Sequence, residues 1–425
     1  MSTRLYGWLG LVCLLLFGGA SLEAQVTADA GLTGVIKDSS GAVISDAQVK
    51  LASAETGAVR EARTSAQGEY RFDLVAPGTY DVIVSVPGFQ TKVIKNLVLA
   101  VGQTVTNNAT LEVGQQTQTV TVEATPPLLN AEKTDVSTTV TPREVENLPL
   151  VGRDFANLAY LAPGVKIADS YDPTKNRYAI LSVNGDNGRD VNVTVNGVDN
   201  KDNTVGGPVM QFPLEAIQEF HISTQRFSAE NGRSEGAAIN VITKAGTNDY
   251  HGSLFGYFRN DALDTDEQVP NGTGGSNPEH PAYSRQWFGG SFGGPIKKDK
   301  LFAFFAIERE RENQELAESG SSFTELSLAK GAGLAAQPSA TIPRPFFETR
   351  YNGRLDYTIN DKNTAYVSYN SQANNSLNDQ SDGTGDLTNG NFTKNHLLLA
   401  NFTLNSIVRA PWSTSLRLDI NIGIT

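Results

Sequence analysis

The sequence predicts a mainly β protein, with a small unit of short strands first and long antiparallel strands in its second half. Three observations carry this. From about Tyr250 onward, apolar strands are joined by connections that alternate short and long. Within those strands, apolar and polar residues alternate with period two, which puts them on opposite faces. Between residues 29 and 113, Gly and Pro punctuate short strands about every eight to twelve residues, the spacing of a small sandwich.

The first residues read as an export signal. Arg4 precedes an apolar run from Leu9 to Phe17, and small residues follow through Ala20 to Ala24. The run is too short to span a membrane as a helix, so residues 1–24 are expected to be removed, after Ala20 or Ala24. The only cysteine, Cys13, would leave with them. Neither disulfides nor Cys-based metal sites are then available to the mature chain.

The sandwich is expected over 29–113. Its strands open at Leu32–Asp38 and continue through Ala47–Leu51, Gln67–Phe72 and Pro77–Val84; Val86-Pro87-Gly88-Phe89-Gln90 turns a corner, and Leu111-Glu112-Val113 ends the unit. On the Gly34–Asp38 strand, Gly68-Glu69-Tyr70, Pro77-Gly78-Thr79-Tyr80 and Pro87-Gly88-Phe89, this segment resembles the carboxypeptidase regulatory-like domain, a transthyretin-like sandwich. The name suggests an enzyme, but the residues do not. A zinc carboxypeptidase needs His and Glu at helical spacing plus a second His, and residues 29–113 contain no His at all. A scaffold or contact module is the expected role.

A second unit is expected over 115–247. It begins with Thr119, Val120, Thr121, Val122 and Glu123, a short extended segment ended by Thr125-Pro126-Pro127. Later pieces include Arg153-Asp154-Phe155, Leu181-Ser182-Val183, Val195–Asn200, Pro213–Phe220 and Ala229–Asn248.

From 248 to 425 the strands lengthen. Tyr351, Gly353, Leu355, Tyr357 and Ile359 alternate with Asn352, Arg354, Asp356 and Thr358; Leu416, Leu418, Ile420, Ile422 and Ile424 alternate with Ser415, Arg417, Asp419, Asn421 and Gly423. Tight turns are expected at Gly294–Asp299 and Asn360-Asp361-Lys362, and long connections after Arg259, Glu308 and Tyr369. A soluble sandwich also alternates, but the strand length, the loop rhythm and the aromatics Trp287, Phe288, Tyr366, Tyr369 and Trp412 fit an outer-membrane barrel better. Phe302, Phe304 and Phe305 are expected to face lipid.

Taken in order, these pieces resemble an Oar-like TonB-dependent outer-membrane receptor. The match is most specific at Glu215–Gly252, the end of the plug and its junction with the first barrel strand, and at Gln286–Lys300, the second and third strands. The resemblance implies a sandwich, an α+β plug and an antiparallel transmembrane barrel. It implies energy-coupled import of an unidentified extracellular substrate across the bacterial outer membrane. Its partners would be outer-membrane lipid, TonB and the inner-membrane energising complex, with the sandwich in the periplasm. Thr119–Glu123 would be the TonB box, which pairs by strand addition; the residues alone allow a linker or an edge strand as well. Such barrels have about 22 strands, of which roughly the first seven are written here, so the chain is expected to be an incomplete barrel and part of a longer protein. The competing function is surface adhesion or periplasmic interaction through the sandwich and the long loops.

Other signals carry little. Gly289-Gly290-Ser291-Phe292-Gly293 has a nucleophile-elbow pattern but lies inside a predicted strand with no helix after it. Gly331–Ala336 imitates a dinucleotide loop without its preceding strand. Asp186–Asp190 and Asp199–Asp202 suit turns better than calcium sites. The formal charge of −12 and pI near 4.9 argue against nucleic-acid binding. No catalytic residue and no cofactor are expected.

Overall fold

The structure is a computed structural model, and it describes residues 29–114, 119–123, 135–148, 150–168, 180–186, 188–204, 206–227, 231–232, 234–263, 282–379, 390–409 and 412–424. The export signal and the Thr125-Pro126-Pro127 stop lie outside these residues.

The first strands build two packed sheets. They are β1 (Ala30–Asp38), β2 (Gln48–Ser53), β3 (Val59–Arg63), β4 (Glu69–Val75), β5 (Gly78–Ser85), β6 (Thr91–Leu99), β7 (Thr104–Thr106), β8 (Ala109–Leu111) and β9 (Thr119–Glu123). One sheet runs β4-β1-β7, with β8 also on β1; the other runs β3-β2-β5-β6-β9. Alternation places Val49 and Leu51 of β2 and Val82 and Val84 of β5 against Leu32, Ile36 and Phe72 in one apolar core.

The next unit holds β10 (Val136–Val140), the helix α1 (Pro142–Asn147), β11 (Val165–Ile167), β12 (Leu181–Val183), β13 (Val191–Val195), β14 (Val198–Asp199), β15 (Ile217–Gln225) and β16 (Ala237–Thr243). Its main sheet has the order β10-β15-β16-β13-β14. Helix α1 starts where Thr141 and Glu144 form a capping box ahead of Pro142. β13 and β16 are buried along their whole length, polar residues included: Thr194 of β13 bonds Asn240 of β16 between the two strands.

The remaining strands form one antiparallel wall: β17 (His251–Asn260), β18 (Tyr283–Lys297), β19 (Leu301–Ala317), β20 (Thr341–Pro343), β21 (Phe346–Asn360), β22 (Asn363–Leu377), β23 (Phe392–Arg409) and β24 (Trp412–Ile424). They pair in sequence order, with β20 added to the far end of β19. Helix α2 (Gly320–Gly331) fills part of the β19–β20 connection. β19 runs nine residues beyond the expected Glu308, and β22 and β23 also exceed their expected lengths. The extensions of β19 and β22 are mainly polar on both faces, so hydrophobic alternation does not mark them.

The two faces of the wall decide between a soluble sandwich and a barrel. Phe292, Phe305, Tyr369 and Ala400 lie in one cross-strand row with Gly353, and Ala303, Leu355, Val367 and Phe402 in the next. Phe292 is 61% exposed, Phe305 48% and Val367 47%. The opposite face buries Glu308, Glu348, Arg350, Asn352, Ser368, Asn370 and Asn401. Apolar residues outside and charged residues inside reverse the order of a water-soluble domain, and a transmembrane barrel requires that reversal. Along β19 the outward row changes from Phe305 and Ile307 to Arg309 and Arg311, which marks one edge of the apolar band.

Two expectations are corrected here. Phe302 and Phe304 point inward and are 1% and 2% exposed; only Phe305 of the three faces outward. The tight register of β19 puts even-numbered residues inside. Trp287 and Tyr366 also face inward, Tyr366 donating to the Asn196 carbonyl at 3.3 Å, so they are not part of an outer aromatic girdle.

Candidate functional site

The inner unit sits against the concave face of the wall, and charged residues line the contact. Leu150 leads into the turn Val151–Arg153, where Gly152 (φ 83°) and Arg153 (φ 46°) both take left-handed backbone. That conformation is uncommon for a residue with a Cβ, and it carries the Arg153 guanidinium to the wall. There it bonds Glu308 of β19 at 3.3 Å and approaches Glu215 at 3.7 Å. The Phe255 ring of β17 lies 4.2 Å from its central carbon and adds a cation–π contact.

Arg350 of β21 answers from the other side. It is 2% exposed. Its guanidinium donates to Asp154 at 3.2 Å and to the Arg153 carbonyl at 3.1 Å, approaches Glu308 at 3.6 Å and forks onto Glu348. Glu348 also receives Gln372 and Asn374 of β22, and the Gln372 amide oxygen accepts the Gln211 backbone N–H at 2.8 Å. The two guanidiniums therefore face four carboxylates: Asp154, Glu215, Glu308 and Glu348. Burial pushes the Asp154 carboxyl up to about 8; Arg350 opposes this and the neighbouring glutamates add to it.

A buried ionic contact of this kind contributes little net adhesion, because desolvating the charges offsets their attraction. It specifies one seating of the inner unit instead. A purely apolar contact of the same area would hold the two surfaces without such a definite geometry and would be harder to separate.

Lower down, Arg354 of β21 donates to the Thr243 carbonyl at 3.0 Å, and Ser253 of β17 donates to Glu215 at 2.6 Å. The chain passes from β16 into the wall at Gly246, where an added Cβ would come within 2.4 Å of the Ala303 carbonyl and 2.8 Å of the Gly294 carbonyl. The junction thus needs glycine for close backbone approach.

The sandwich touches the inner unit through Glu219 of β15. Its carboxylate accepts the buried Val101 N–H at 3.1 and 3.2 Å, beside a Val101–Ile242 apolar contact. Burial pushes the Glu219 carboxyl up to about 7 from an ordinary 4.5, opposed by the Val101 N–H. The folded protein then holds more protons than the unfolded chain between about pH 4.5 and 7, so this group's stabilisation is present at low pH and lost as pH rises through that window. Glu219→Gln keeps an acceptor that never ionises. The variant is expected to gain about 2–3 kcal/mol over the wild type on going from pH 5 to pH 8. Thermal unfolding midpoints in detergent at the two pH values check this; equal pH dependence in both proteins would refute it.

The predicted box, Thr119 to Glu123, is strand β9. It lies parallel to β6 in register Thr91–Thr119 to Lys95–Glu123, with all five residues exposed. Its position is that of an outer strand of the sandwich sheet, remote in sequence from the ion cluster. The Arg153-Asp154-Phe155 motif belongs to that cluster, but the roles of Glu308, Glu348 and Arg350 are not assigned by sequence. The signal was there in part: charges at period two in a wall strand face the lumen and need partners inside.

Other sequence motifs take their plain readings. Gly289–Gly293 lies within β18, where Ser291 shares a hydrogen bond with Ser253 at 2.9 Å and an added Cβ on Gly289 would meet the Ile307 carbonyl at 2.3 Å. Asp186, Asp199 and Asp202 each accept a backbone N–H two residues on, closing turns. Among the described residues, no group of three His, Cys, Asp or Glu side chains converges as a metal site. No helix among them is long and apolar enough to cross a membrane.

Fold and inner-face chemistry together define an outer-membrane β-barrel protein preceded by a regulatory-like sandwich. Residues 31–112 match the carboxypeptidase regulatory-like domain and residues 242–347 the outer membrane beta barrel domain. Over 300 residues the chain is 26% identical to the TonB-dependent transporter Oar of Myxococcus xanthus, a match that covers 68% of this chain. It is a homologue of that transporter, and it spans 27% of that protein's length. Among solved structures it is similar to the outer membrane transporter YddB from Escherichia coli, with 12% identity, a TM-score of 0.49, and 67% of this chain against 38% of that one. It is also similar to the siderophore receptor PirA from Acinetobacter baumannii, with 17% identity, a TM-score of 0.46, and 67% against 39%. The transporter homologue agrees with the expectation that the chain is not an enzyme.

Proposed function

We propose that the chain works in TonB-coupled uptake across the outer membrane, as the sandwich, plug and first wall strands of a receptor for an unidentified substrate. Residues 115–247 are the plug region, and residues 248–425 belong to the barrel. The observation that carries this reading is the seating of the inner unit: polar and ionic groups of the wall's inner face, with few apolar contacts beside them, hold it where a pore would otherwise run. A permanently filled wall would be sealed by apolar packing. An ion-paired seat is separable under force at limited cost, because water can rehydrate the released charges.

Energy reaches such a seat through a periplasmic partner. In this reading Thr119–Glu123 is the TonB box: it is extended, β-branched, exposed and placed between the sandwich and the plug. TonB and the inner-membrane energising complex supply the pull, and residues 29–113 lie on the periplasmic side with them.

The test is deletion of Thr119–Glu123 followed by capture on the immobilised periplasmic domain of TonB. Capture is expected to fall at least tenfold while the protein still inserts in the outer membrane. Undiminished capture would remove the box from this segment.

A further inference from the structure

We infer that β9 receives its periplasmic partner while still docked on the sandwich, the partner's strand adding to the open edge of β9; the inference rests on the TonB-coupled reading above. In the sheet β3-β2-β5-β6-β9, β6 occupies one side of β9, and no described strand pairs with the other. That outer edge presents backbone donors and acceptors to any extended segment.

Three features favour addition over release. The five residues are already extended by the parallel ladder to β6, so a partner meets a strand whose ordering cost has been met by the sandwich. The end nearest the plug is held by a side chain as well: the Asn96 amide donates to Glu123 at 2.8 Å. Release would also leave β6 as a bare edge, and the partner would have to replace that ladder before gaining anything. Addition breaks no existing pair.

The docked arrangement also changes where force goes. The sandwich is tied to the plug by Val101–Glu219 and to the start of the wall by the Asn248 N–H, which donates to the Glu55 carbonyl at 2.9 Å. A pull applied at β9 is therefore shared with the sandwich before it reaches the plug.

The experiment locks β9 in place. Val93 and Thr121 are direct partners in the β6–β9 register. In a Val93→Cys/Thr121→Cys protein, a short bifunctional thiol reagent closes the pair, verified by intact mass. Binding of the TonB periplasmic domain is then compared for closed and unreacted protein. The expected result is affinity within about threefold between the two. A closed protein that loses binding more than tenfold, while unreacted protein binds, overturns the docked-strand inference and leaves the box assignment standing. If neither form binds and the parent chain does not bind either, the box assignment itself fails and the inference with it. The unreacted double variant must match the parent; if only the variant fails, the same comparison is made at Lys95→Cys/Glu123→Cys, the next pair on that side, and is read in the same way.

Discussion

Arg350→Ala is expected to destabilise the seated inner unit by roughly 3–5 kcal/mol, the cost of leaving buried carboxylates without their cation. Arg350 is 2% exposed and contacts Asp154, Glu308 and Glu348 at once. Arg153 is already engaged on the Glu308 and Glu215 side of the cluster. The loss should show as early proteolysis of residues 136–243 in detergent-solubilised protein, with the wall strands still resistant. A second variant separates charge from packing. Asp154→Asn added to Arg350→Ala removes one of the stranded carboxylates, and it should recover part of the loss through a coupling of about 1–3 kcal/mol. Full additivity of the two changes would mean that Asp154 and Arg350 do not act as a pair.

The second large effect is expected in the core of the inner unit. Phe155 is fully buried, edge-on to Phe212 with ring centroids 5.9 Å apart, and belongs to a cluster with Leu158, Val193 and Phe220. Phe155→Ala should cost about 3–5 kcal/mol through lost burial and the cavity left behind. The same cluster reaches Leu399 of β23, so the effect is not confined to the inner unit. Hydrogen exchange should rise in β13, β15 and β16 and at the inner end of β23, and not in the sandwich. Faster exchange in β2 and β5 instead would show that the two cores are not energetically separate.

These two residues differ in how readable they are. Phe155 follows the charged pair Arg153-Asp154, and an aromatic beside apolar Leu158 and Tyr160 reads as core from sequence. Its opposite number Phe212, fifty-seven residues away, does not. The ion cluster is harder still. Arg153 and Arg350 are brought together by pairings that cross nearly two hundred positions. Each lies in a locally ordinary context, a turn and a strand. Lipid-facing rows were legible because period-two alternation is local, as Tyr351 to Ile359 illustrate. The outward ends of β19 and β22 were not, because there both faces are mainly polar and alternation carries little contrast. Phe302 and Phe304 defeat local reading for a related reason: aromatic residues serve equally well on the outer face and against the inner unit, and only register chooses between the faces.

The sequence by itself determined a small sandwich and the succession of long alternating strands, since both are encoded in nearest-neighbour periodicity and turn chemistry; the regulatory-like and outer-membrane readings came from the resemblance of its motifs. It also marked Thr119–Glu123 as extended and β-prone, because alternating Thr and Val permit little else. The tertiary structure alone decided which edge that strand occupies, which charges face one another across the inner unit and wall, and that Glu219 is buried under the sandwich. Those outcomes depend on where distant segments meet and how much water is excluded between them, and neither quantity is a property of a local stretch of chain.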